Sequence, residues 1–102
     1  MRLFKSVDNR LKELGFEKVE TEDKYGAYYR RVVPINSDDS YVHRLDIIHK
    51  ANGKHLIQSY QEETNSDGFN NMVGLTYEVT KLAMKKYRQL KRKYKWDYNK
   101  LT

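Results

Sequence analysis

At 102 residues, with 38% apolar and 33% charged side chains, the chain is long enough for one domain with a modest core and too patterned for disorder. Cysteine is absent, which excludes a disulfide framework and a thiolate metal site and fits a cytoplasmic protein. The net charge of +6 is unevenly placed: residues 1–75 carry 11 Lys/Arg against 12 Asp/Glu, whereas residues 76–102 carry 9 against 2.

The opening MRLFKSVDNR holds no long apolar run, so neither a signal peptide nor a membrane span is expected. Leu3, Phe4, Val7, Leu11 and Leu14 fall on one face at roughly 100° per residue, which predicts a helix over residues 1–15. Gly15 stands where a left-handed residue ends a helix, and Phe16 is placed to fold back on Leu11.

Residues 16–61 read as an antiparallel sheet. The stretch FEKVET, residues 16–21, predicts a short first strand closed by the charged turn Glu22-Asp23-Lys24. Residues 25–33 have strand composition, and Pro34 ends them because proline cannot donate to a ladder. After a polar loop, residues 41–50 and 54–61 flank Ala51-Asn52-Gly53, the strongest hairpin signal in the chain. Two registers remain open. A two-residue turn at Asn52-Gly53 pairs Ile48 with Ile57 and puts Leu45, Ile47, Leu56 and Tyr60 on one face. A three-residue loop with Gly53 as a bulge pairs Ile47 with Ile57 and His49 with His55.

Residues 62–75 form a polar linker, Thr76 is the natural N-cap of a helix over residues 76–96, and residues 97–102 are a tail. The order helix, three or four antiparallel strands, long helix predicts a single two-layer α+β domain with both helices on one face of the sheet. Much of the apolar content is tyrosine, whose hydroxyl needs water or a partner, so the core should be thin. A monomer and a homodimer are both compatible with that composition.

The last helix carries the clearest chemical signal. With Lys81 at 0°, Lys85, Arg88, Arg92 and Lys95 lie within about 40° of it, opposite Val79, Leu82, Ala83, Tyr87, Leu90 and Tyr94. Lys86 and Lys93 fall near the apolar border. The outward cations span about 21 Å at roughly 1.5 Å per residue. No carboxylate lies between Glu78 and Asp97 to offset them. Like charges at this spacing cost about 0.2–0.5 kcal/mol per pair, so a helix built only for stability would mix signs. A stripe of this kind gives affinity for nucleic acid or an acidic protein surface, with Trp96, Tyr94 and Tyr98 as stacking candidates. The alternative role for Trp96 is a lid on the core.

Catalytic and metal chemistry find less support. His43, His49 and His55 lie on the hairpin, but His43 and His49 stand about 20 Å apart along a strand, too far for one ion. Asp46 alternates to the opposite sheet face, away from His43 and His49. Residues 63–68 imitate the start of a calcium loop, yet Gly74 stands where a bidentate glutamate is required. No nucleophile elbow or phosphate loop occurs. The expectation is a non-enzymatic chain with no cofactor and no metal.

In layout, VDNRLKELGFEKVE followed by strands and a basic closing helix resembles the double-stranded-RNA-binding domain, without its paired-lysine helix start or its loop histidine. The helix ending in Leu-Gly-Phe also resembles the HicA-like mRNA interferase toxins, whose catalytic Gly-Ser-His stands where this chain has Tyr25-Gly26-Ala27-Tyr28. KELGFEKVE, the HKANGKHLIQSY hairpin and the KYRQLKRKYKW ending together look like short proteins carried by phages and prophages of low-GC Gram-positive bacteria. The last of these resemblances implies a phage or prophage origin in a bacterial host more than an activity. Together with the basic helix, the expectation is a phage-related, non-enzymatic binding module in the host cytoplasm that contacts nucleic acid or another anionic surface. The alternatives are a protein–protein interaction module acting on a host or phage protein, and a small RNase of toxin type.

Overall fold

In a computed structural model that describes residues 5–49, 57–62 and 71–96, Ser6 sets where the first helix begins. Its backbone is extended and its hydroxyl accepts from the Asn9 amide at 3.1 Å, so α1 runs Val7–Glu13 and not from the chain start. Of the predicted helix, residues 1–4 lie outside the described residues. The C-terminal end follows the expected chemistry. Gly15 takes φ 95°, the Gly15 amide donates to Lys12 O at 2.9 Å and the Phe16 amide donates to Leu11 O at 3.0 Å. This double closure turns Phe16 into the core.

The first strand is shorter than predicted. β1 (Glu17–Lys18) pairs with β2 (Gly26–Pro34) at Glu17↔Arg30, and beyond it the chain leaves the sheet, letting Glu22 reach Lys18 and Lys86. The return is tight: Asp23 accepts from the Tyr25 amide at 2.8 Å, and Asp23 and Gly26 exchange backbone bonds at 3.1 Å. Only glycine fits where β2 starts. Gly26 has φ 148°, and a Cβ there would stand 2.3 Å from the Ile47 carbonyl oxygen on β3 (Ser40–Ile48).

β2 pairs with β3 in unbroken register from Gly26↔Ile48 to Pro34↔Ser40. β3 pairs with β4 (Ile57–Glu62) at Ile47↔Ile57 and Leu45↔Ser59, which is the three-residue register; the turn itself lies outside the described residues. Tyr60 therefore faces away from the helices, where its hydroxyl donates to Asp46 Oδ2 at 2.6 Å. The antiparallel sheet has order β1-β2-β3-β4.

The predicted linker is only partly one. Glu62 belongs to β4, the Gln61 amide donates to Asn71 O at 2.7 Å, and the Val73 amide donates to Ser59 O at 3.1 Å. The chain thus covers the outer edge of β4, a site otherwise open to foreign strands. Thr76 then caps α2 (Tyr77–Tyr94), its hydroxyl accepting from the Val79 amide at 3.2 Å.

Alternation selects the buried face of the sheet. Ala27 and Tyr29 of β2 and Leu45 and Ile47 of β3 pack with Val7 and Leu11 of α1 and with Val79, Leu82, Ala83 and Leu90 of α2. Both helices lie on this face, giving the expected two-layer α+β architecture.

A polar chain crosses the same face. Arg31 lies over the Phe16 ring at 4.4 Å, its Nη1 donates to Leu14 O at 3.3 Å, and its Nε donates to His43 Nδ1 at 3.1 Å. Since Nδ1 accepts, the ring proton sits on Nε2, which donates to Ser59 Oγ at 2.7 Å; that hydroxyl in turn donates to Val73 O at 2.7 Å. His43 is fully buried, and burial, helped by the Arg31 charge, pushes its pKa down to about 4. The folded protein thus keeps His43 neutral while the unfolded chain protonates it near pH 6.5. Stability is complete above that value and falls as pH drops toward about 4, by roughly 3 kcal/mol at most. Urea unfolding at a series of pH values should show this loss, and His43→Gln should flatten it. An unchanged slope in the variant would remove His43 as its source.

Candidate functional site

Helix α2 sorts its cations by face. On the inner side Lys86 lies among core residues, only 6% exposed, with Nζ 2.6 Å from Glu22 Oε1 and 3.3 Å from Asp8 Oδ1. Lys18 joins the same two carboxylates at 2.8 Å to Asp8 and 3.1 Å to Glu22. The Tyr29 hydroxyl donates to Asp8 Oδ1 at 2.6 Å. Burial alone would push the Asp8 and Glu22 carboxyls up, but hydrogen bonds and charge from Lys18 and Lys86 outweigh it, and both are held low. Burial and the hydrogen bond to Asp8 push the Tyr29 hydroxyl far above its ordinary range. Lys93 approaches Glu22 Oε2 at 3.4 Å from the surface. The helix border placement of Lys86 is thus resolved as an interior one.

On the outer side Lys81, Lys85, Arg88, Arg92 and Lys95 are all exposed, and none forms an ion pair among the described residues. Contiguous open grooves run beside them. One of about 390 Å³ is lined by Arg10, Lys81, Met84, Lys85 and Arg88. A second of about 260 Å³ lies between Lys85, Arg88, Gln89 and Arg92, and a third of about 510 Å³ is bounded by Arg88, Lys91, Arg92, Lys95 and the edge of Trp96. Among the described residues no carboxylate lines these grooves. The arrangement offers charge and guanidinium donors to a ligand rich in anionic oxygens.

Trp96 touches the third groove but is turned mainly into the core. Lys95 adopts the left-handed conformation, φ 56° and ψ 45°, and the Trp96 amide donates to Lys91 O at 3.0 Å. The chain so reversed buries the indole to 6% exposure, where Nε1–H donates to Lys24 O at 2.8 Å. The ring lies 5.1 Å from His49 and 6.1 Å from Tyr87. Trp96 thus acts as a lid on the core and leaves little of its ring open to the groove that it edges. Tyr98 lies outside the described residues.

Arg10 is the lining residue that sequence reasoning missed. Its place beside Lys81 and Lys85 depends on how α1 docks against α2, and no spacing within either helix encodes that. The hairpin histidines are not brought together: His43 is bound within the core, His49 packs beside Trp96, and His55 lies outside the described residues. Asp46 faces the opposite side of the sheet, with Arg44 and Tyr60. Among the described residues no three His, Cys, Asp or Glu side chains converge as metal ligands. Most of the calcium-like segment, residues 63–70, lies outside the described residues. Among the described residues, no helix is long and apolar enough to cross a membrane.

Comparison with protein-family models, curated proteins and solved structures finds no match for this chain.

The sorting of cations has a direct test. Lys86→Met leaves Asp8 and Glu22 short of a buried counter-charge and should lower stability by about 3 kcal/mol. Lys85→Met, one position earlier on the exposed face, should change it by less than about 0.5 kcal/mol. Equal midpoints for the two variants in urea unfolding would contradict the assignment.

Proposed function

We propose that this chain is a small, phage-related, non-enzymatic binding module of the bacterial cytoplasm that contacts nucleic acid through Lys81, Lys85, Arg88, Arg92 and Lys95. One observation carries the reading. Asp8 and Glu22 turn inward to Lys86 and Lys18, with Lys93 reaching Glu22 from the surface, while the outward cations keep no ionic partner among the described residues. Such a row is electrostatically costly in the free protein and favourable once anionic oxygens and released counterions enter the balance. The phage relation rests on the sequence cues KELGFEKVE, HKANGKHLIQSY and KYRQLKRKYKW.

A protein-interaction module remains the second reading, favoured by the sheet face opposite the helices. No described helix covers it, and Val32 stands well exposed there. An RNase of toxin type finds less support, because both ring nitrogens of His43 are engaged within the core.

Neutralising about four or five phosphates predicts a log–log salt slope of about −3 to −5 for binding of labelled nucleic acid. Charge reversal at Lys85, Arg88 and Arg92 should remove the binding and leave folding intact. An anisotropy titration with no binding at low salt would end the nucleic-acid reading. Retention of a host-protein contact by the reversed variant would favour the sheet face instead.

A further inference from the structure

We propose that Arg10 of α1 joins the outward cations of α2 in gripping the phosphate backbone of a double-stranded nucleic acid; this rests on the nucleic-acid reading and narrows it. The first observation is the state of the aromatic rings. A protein that holds unpaired strands interleaves cations with open rings on which bases stack. Here Trp96 is buried, and Tyr87 and Tyr94 are partly buried against the core with Lys91 and Lys93 near their rings, at 6.0 Å and 5.2 Å. Tyr77 is the exposed exception at 79%, and Lys81 approaches its ring at 5.3 Å. Among the described residues the face therefore offers charge with little stacking surface, which suits a ligand whose bases are already paired and whose phosphates face outward.

The second observation is the surface that flanks the charge. A protein partner needs a desolvated apolar or aromatic anchor at the centre of its contact. Among the described residues, the exposed apolar surface along this face is that of Tyr77, at one end of the row beside Lys81, and of Met84, 39% exposed, between Lys81 and Lys85; no large apolar side chain is exposed at the centre of the row around Arg88. A membrane surface would require the apolar side of α2 to enter lipid, but Val79, Leu82, Ala83 and Leu90 are packed in the core.

The third observation is the rigid placement of Arg10. Asp8 ties α1 to Lys86 of α2 and to Lys18 beside β1, and Val7 and Leu11 anchor the same helix in the core. Arg10, between those anchors, is exposed and lines the groove with Lys81, Lys85 and Arg88. The band of charge is thereby widened beyond one helix and held in fixed geometry before any ligand arrives, which limits the entropy lost on binding.

The row spans about 21 Å along α2, or about six base-pair steps at about 3.4 Å each. Suitable probes are labelled duplexes of about 12 base pairs, one DNA and one RNA, with their separated strands as controls. At equal salt at least one duplex should bind about tenfold more tightly than its own strands, and the DNA and RNA arms identify which backbone is preferred. Arg10→Ala should weaken duplex binding severalfold and reduce the salt slope by about one, with an unchanged urea midpoint. Strands that bind as well as their duplexes would overturn the proposal, as would wild-type affinity and slope in Arg10→Ala. Failure of every probe at low salt would overturn both this proposal and the reading beneath it, whereas tight single-strand binding would overturn this proposal alone.

Discussion

The structure depends on a buried ammonium group. Lys86 sits on the inner side of α2, where an unpaired charge would cost several kcal/mol after desolvation. Glu22 and Asp8 meet it from the turn after β1 and from α1, Lys18 bridges the same pair, and the Tyr29 hydroxyl supplies a further bond to Asp8. Contributions from both helices, two strands and a turn converge on one spot. Geometry is the main gain: apolar side chains in place of the whole cluster could supply similar stability, whereas loss of Lys86 alone strands two carboxylates, and directional bonds fix how α1, the β1–β2 connection and α2 meet.

That convergence decides the character of the surface. Each carboxylate taken inward is lost to the outside of α2, so Lys81, Lys85, Arg88, Arg92 and Lys95 stand without compensation among the described residues. The same bonds place Arg10 alongside them. Charge separation across one helix is therefore a product of the core: the interior consumes acids and the exterior keeps bases. The left-handed turn at Lys95 completes the division by returning Trp96 to the core while leaving its own ammonium outside.

Local chemistry was legible in the sequence wherever one or two residues suffice. Gly15 ends α1, Thr76 starts α2, and alternation correctly separates Asp46 from His43 because each depends only on neighbours along the chain. The outward stripe was legible because 3.6-residue periodicity is a property of the helix alone. Features that require a partner from a distant element were not. Lys86 looked like a border residue because Glu22 and Asp8 are remote in sequence. Trp96 looked equally suited to stacking and to sealing until its bond to the Lys24 carbonyl was visible. The hairpin register was settled by side-chain bonding, since only one alignment gives Tyr60 to Asp46 and Ser59 to both His43 and Val73. Apolar content alone favoured the other alignment.

The face of α2 that carries Arg10's neighbours is the contact surface in the proposed function. Amide chemical-shift mapping of the isotopically labelled protein, titrated with a short nucleic-acid duplex at low salt, locates that surface directly. Perturbations should concentrate at Arg10, Lys81, Lys85, Arg88, Arg92 and Lys95, with little change at Val32, Arg44 and Tyr60 on the far face of the sheet. Perturbations centred on the far face, or none at saturating duplex, would contradict that assignment.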